Sequence, residues 1–187
     1  MVIRPPRNAY PNDAGMTNTQ SLGGIQVVED NFVIKNAKQE SLHCCYVTQA
    51  NLPEGTQRPC VIYMHGNAGN KFEGKSLAYK LLPLGVDLMA FDFSGCGNSE
   101  GDWVTLGYKE VDDLKAVLNH LEQKGKTSKV ALWGRSMGGS TSLRFDHTSS
   151  PIPVSCMIVD SSFSIFKEVA EGLVSKMMPG MPPEAIM

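Results

Sequence analysis

The chain has 187 residues, 42% of them hydrophobic and 19% charged, with a formal net charge of −2 and a pI near 6.1. That length suffices for one domain with a substantial core, and the composition is that of a globular protein. The charge balance leaves no basic footprint for a nucleic-acid partner, and no apolar stretch reaches the roughly 18 residues of a membrane span.

The N-terminal stretch "MVIRPPRNAYPNDAGMTNTQ" lacks the apolar core of a signal peptide, and Val2 stands where myristoylation needs glycine. Five cysteines is an odd number, and adjacent Cys44 and Cys45 face opposite ways if they lie in a strand. These features point to reduced thiols and a cytoplasmic protein. Without a C-x-x-C, and with four scattered histidines, no metal site is expected.

In chain order, residues 1–24 are rich in Pro, Asn, Gly and Thr and read as a poorly ordered or wrapping arm, leaving 25–187 as the domain. The partly alternating segments 25–35 and 41–49 predict a hairpin or meander at a sheet edge. "CVIYMHG" is a continuous apolar run of strand length, as found in strands covered on both faces. A helix is expected over 72–82, a strand over 86–92 and the best helix of the chain over 106–124. That helix lines up Val111, Leu114, Val117, Leu118 and Leu121, and Gly125 follows as its stop. A strand over 128–134, a helix over 137–146, a strand over 154–160 and a helix over 164–177 complete the pattern. Strands alternating with helices predict right-handed crossovers and a mostly parallel sheet with helices on both faces.

In such a sheet the functional residues gather at the C-terminal ends of strands. "LWGRSMGG" puts Ser136 just past an apolar run and before a helix, with Gly134 and Gly138 two residues either side. That spacing suits a sharp strand-to-helix turn that strains the serine and needs close backbone approach at both glycines. The turn aims the Met137 N–H towards developing negative charge. "YMHGNAGN" ends another strand in a glycine-containing loop, where Asn67 can supply a second N–H, with Ala68 next in line and Gly66 and Gly69 allowing close approach. "FDFSGCGNSEGDW" is a glycine-rich turn without the Lys-Ser/Thr pair of a P-loop, so its expected role is to pack beside the nucleophile loop. Cys96 within it belongs to no catalytic motif.

Together "MHGNAGN", "FDFSGCGNSEG", "LWGRSMGG" and "IVDSSFS", with "IRPPRNAY" near the N-terminus, resemble the α/β-hydrolase superfamily, in particular its serine-aminopeptidase-like branch. The resemblance runs from about residue 25 to 175. It implies Ser136 as nucleophile, Asn67 and Met137 as the oxyanion hole, and His65, Gly66, Gly134 and Gly138 as supports of the two loops. It implies hydrolysis of a small-molecule ester or thioester, with an amide possible, and no cofactor.

The resemblance also implies an acid and then a histidine after the serine. Only His147 follows Ser136, in or just beyond the next helix, where it reads as a surface residue. His43 and His120 read as strand-edge and helix-surface positions, His65 as a support of the oxyanion loop, and Asp160 as a brace for local loops. The expectation is therefore a hydrolase lacking its last strands, its acid and its base, with an open sheet edge. The alternatives are a non-catalytic hydrolase-fold binder, or a partner chain that completes the site. The stripe Val169, Leu173, Met177 reads as a core-facing helix or the start of a lid.

Overall fold

In the computed structural model, which describes Arg4 and residues 6–163, the apolar runs become a mixed sheet of seven strands. These are β1 (Thr17–Leu22), β2 (Ile25–Lys35), β3 (Ser41–Gln49), β4 (Arg58–Met64), β5 (Asp87–Phe91), β6 (Thr127–Arg135) and β7 (Val154–Asp160), ordered β1-β2-β3-β5-β4-β6-β7. Strands β5, β4, β6 and β7 run parallel, and β1, β2 and β3 extend the sheet from β5 as an antiparallel meander. The helices are α1 (Phe72–Lys75), α2 (Ala78–Leu81), α3 (Glu110–Lys124) and α4 (Met137–Arg144).

Period-two alternation sorts the strand side chains into two cores. Cys60, Ile62 and Met64 of β4 join Met89, Phe91, Val130 and Leu132 in a cluster covered by Leu114, Val117 and Leu118 of α3 and by Met137 of α4. Val61, Tyr63, Leu88 and Ala90 face the other way, against Ala78 and Leu82. Cys44 and Cys45 fall in opposite clusters, both buried and both free thiols.

β4 lies between β5 and β6, so the chain winds first to one side of β4 and then to the other. Its carboxyl end is the topological switch point, where the following loops diverge and leave a crevice. The loops after β4 and β6 meet there.

Several elements differ from their sequence-based expectations. Within the stretch read as an arm, Thr17–Leu22 forms β1 and pairs with β2 through a tight turn at Gly23 and Gly24. An edge strand exposed on both faces, TNTQSL carries no alternating signal, and only Leu22 is buried. The helix expected over 72–82 is broken into α1, α2 and a 3₁₀ turn at Leu82–Leu84. Within α1, Gly74 is packed on Tyr63, where a Cβ would lie 2.7 Å from the ring, and Pro83 sets the 3₁₀ turn. α3 begins at Glu110 rather than 106, because Leu106 and Gly107 have φ of 57° and 112°; it stops at Gly125, φ 66°. His43 lies in β3, between β2 and β5, rather than at a strand edge. The helix expected over 164–177 lies outside the described residues. β7 is exposed along nearly its whole length, Met157, Ile158 and Val159 included.

Candidate active site

β6 ends at Arg135 and α4 begins at Met137, which leaves Ser136 to turn the chain alone. It does so with φ 50° and ψ −109°, a conformation that costs an L-residue on the order of 1–3 kcal/mol. The turn is held from both sides. The Ser136 N–H donates to the Asp160 carbonyl at 2.7 Å, and its carbonyl accepts from Ser140 N–H at 2.9 Å. A Cβ on Gly134 would stand 2.2 Å from the Gly138 oxygen, and one on Gly138 would stand 2.2 Å from the Met64 oxygen. Neither position admits a side chain, so the glycine spacing follows from steric necessity. Met137 occupies the first turn of α4, where backbone N–H groups have no intrahelical carbonyl to bond.

The loop after β4 lies against this turn. A Cβ on Gly66 would be 3.8 Å from both Arg135 O and Ser136 Cβ, ordinary contact distance. Gly69 N–H donates to Gly66 O at 3.0 Å, closing a β-turn around Asn67 and Ala68, with Ala68 at φ 58°. Asn67 is exposed at the tip. The Ala68 amide lies against the Cys96 sulfur, while burial, the larger effect, pushes that thiol up to about 12. Cys96 is thus a core thiol and no nucleophile.

His65 is fully buried and fully used. Its Nε2 accepts from Phe93 N–H at 3.1 Å, which places the proton on Nδ1, directed at Gly66 O 2.6 Å away. Burial lowers its pKa against the pull of the Gly66 carbonyl and Asp92, so the ring is a neutral strut between the loops after β4 and β5. His120 stacks on Phe32, ring centroids 4.7 Å apart, His43 is half-buried in β3, and His147 is exposed beyond α4. Among the described residues no imidazole hydrogen-bonds Ser136. Asp160 braces the turn through its backbone, and its carboxylate accepts from Ser161 Oγ at 2.7 Å. Ser162 and Phe163 do the same for α4 through Ser140 Oγ.

Three residues that no local motif singles out, Glu73, Asp92 and Lys71, hold this arrangement together. The Glu73 carboxylate accepts from Tyr63 Oη at 3.3 Å and pairs with Arg135 at 3.3 Å, joining the β4 loop to the end of β6. Asp92, wholly buried, accepts from Lys71 N–H at 2.6 Å, Asn98 N–H at 2.9 Å and Tyr10 Oη at 2.6 Å. Lys71, also buried, sends its ammonium to Asp13 at 2.8 Å and Asn31 at 3.0 Å. Tyr10, Asp13, Asn31 and Arg135 lie 40 to 82 residues away in sequence from the groups they bind, so nothing local marks these contacts.

Among the described residues, no group of three or more His, Cys, Asp or Glu side chains could hold a metal ion, and no helix is long and apolar enough to cross a membrane. The doubly wound sheet with a strained serine turn at its switch point defines the α/β-hydrolase superfamily. The family model "Serine aminopeptidase, S33" matches residues 55–185. The chain belongs to that family.

It is 28% identical over 133 residues to a lysophosphatidylserine lipase, ABHD12, of Danio rerio, covering 67% of this chain and 34% of that protein. It is 25% identical over 137 residues to the uncharacterized protein YfhR of Escherichia coli O157:H7, covering 72% and 46%. The chain thus spans about a third to a half of the length of these relatives. Its fold matches the Pyrococcus furiosus esterase PF2001 with a TM-score of 0.69 at 23% identity, covering 99% of this chain and 65% of that one.

Proposed function

We propose that this chain carries the nucleophile and oxyanion half of a serine hydrolase acting on a small carboxylic ester. The strained φ and ψ of Ser136, held between two glycines that admit no side chain, are the observation that carries this reading. The names of the relatives, a lipase and an esterase, favour an ester over the thioester or amide that the same chemistry would also open. The Ser136 hydroxyl oxygen attacks the acyl carbon while a base takes its proton. The carbonyl electron pair moves onto oxygen, towards the N–H groups of Met137 and Asn67. When the pair returns, the bond to the leaving alcohol breaks and the alcohol takes up the proton, leaving an acyl group on Ser136 for water to remove.

The base and its acid are left to groups outside the described residues, because none of the four histidines serves Ser136. That same fact favours a second reading, a hydrolase-fold binder that uses the crevice without chemistry. Reaction of the 187-residue chain with a fluorophosphonate separates the two. The hydrolase reading predicts slow modification that disappears in Ser136→Ala. Loss of the histidine from a worked serine protease triad costs roughly a millionfold in turnover, so the rate should rise when imidazole is supplied from solution. A folded chain that stays unmodified in imidazole fits the binder.

A further inference from the structure

The N-terminal segment 7–15 is bound at several points to the loop after β4, which lies against Ser136, and to the loop after β5. Arg7 donates to the carbonyl oxygens of Gly97, Ser99 and Gly101. Tyr10 exchanges two hydrogen bonds with Asn98, its N–H to Oδ1 at 3.2 Å and its carbonyl from Nδ2 at 2.9 Å. The Asn70 side chain donates to Asn8 O at 3.0 Å, and the Tyr10 ring meets Phe72 edge-on at 4.6 Å.

Two of these attachments end on buried charge. Among the described residues, no cation lies within hydrogen-bonding reach of the Asp92 carboxylate, whose partners there are the Tyr10 hydroxyl and the N–H groups of Lys71 and Asn98. Lys71 N–H closes the loop after β4, and Asn98 N–H belongs to the loop after β5. A wholly buried carboxylate with three donors holds all three tightly, since losing one leaves charge under-solvated in the core. Burial, and then Asp92 itself, push the Tyr10 phenol upward, so it remains a donor. The Lys71 ammonium depends on Asp13 in the same way, its one carboxylate at ion-pair distance among the described residues.

We propose that Tyr10 and Asp13 are positioning residues for the oxyanion loop, acting through Asp92 and Lys71 to hold Gly66–Ala68 against Ser136. This rests on the reading of that loop as the oxyanion-stabilising one. The arm touches no reacting atom; its effect is on where the Asn67 N–H stands when charge develops.

The test compares the 187-residue chain with Tyr10→Phe, which keeps the ring on Phe72, and with Asp13→Asn. Backbone amide exchange is read by segment, and fluorophosphonate modification is measured in imidazole as separate kinact and KI. Removing one hydrogen bond to a charged group predicts exchange roughly tenfold faster over residues 66–71 and 96–99, with β5 and β6 unchanged. It also predicts a fall of about tenfold in kinact at constant KI. Thr17→Val, which removes only the exposed bond to Asp30, should change neither. Unchanged exchange in the two loops overturns the proposal, as does acceleration spread evenly over the sheet, which would mark a general loss of stability. If Asp13→Asn does not fold, Tyr10→Phe decides alone. If the wild-type chain is never modified at Ser136, the hydrolase reading falls, while the exchange result still decides whether the arm holds the loop.

Discussion

Ser136 combines a hydroxyl side chain with φ 50° and ψ −109°, where only glycine sits without strain. The two properties can be separated by substitution. Ser136→Ala keeps the strain and removes the hydroxyl, whereas Ser136→Gly removes both. If the strain is real, the glycine variant unfolds at higher urea than the alanine variant, by about 1–2 kcal/mol, even though glycine loses more backbone entropy on folding. Equal or reversed midpoints would show an unstrained turn. The serine and its two glycines were legible in the sequence because the constraint is local: three residues within five positions encode the steric demand. Tyr10, Asp13, Lys71 and Asp92 were not, since each is defined by a partner far along the chain.

The elements that carry the site are held at their ends. Before α3 the Glu110 carboxylate accepts from Thr105 N–H at 2.7 Å, Thr105 Oγ at 2.8 Å and Gly107 N–H at 2.8 Å. Gly107 is pressed onto α4, where a Cβ would lie 2.7 Å from Ser140 Cβ. Glu110→Ala strands these donors and should cost on the order of 3 kcal/mol in urea unfolding; a loss below about 1 kcal/mol would mean that the loop repacks freely. The sequence predicts α3 from its apolar spacing, and Leu114, Val117, Leu118 and Leu121 are buried as expected. Its true start is hidden, because Glu110 works as a loop acceptor rather than as part of an apolar stripe. Asp113, outside that apolar stripe, is nevertheless buried beside Asn36 and Ser94 N–H. The central strands were readable from their apolar runs, whereas β1 was not, because a strand exposed on both faces has no periodicity to show.

Over the whole molecule, buried titratable groups give the fold a divided response to pH. Burial raises Asp113 from 3.8 to about 6, against the bonds from Asn36 and Ser94. A pKa raised by folding means that its stabilising contribution is full below pH 4 and is lost as pH rises through 6. His43, His65 and His120 are lowered, chiefly by burial, so their contributions are present above pH 6.5 and lost on acidification. Asp113→Asn isolates the first effect. Its stability relative to wild type should rise by on the order of 2–3 kcal/mol between pH 4 and pH 7, and a constant difference across that range would contradict the assignment. At this scale the sheet with helices on both faces was readable from the alternation of apolar runs and helical periods, and the meander from its alternating strands. That residues 1–24 could wrap the domain was readable, but which loops the segment binds was not, because those contacts are tertiary alone. We propose that the turn after β6 presents a nucleophile to the loop after β4. The most direct test is the fluorophosphonate reaction of the folded chain in imidazole, mapped by peptide mass. A nucleophilic Ser136 predicts one adduct, on Ser136, formed faster with imidazole and absent from Ser136→Ala; no adduct, or one on another residue, would contradict it.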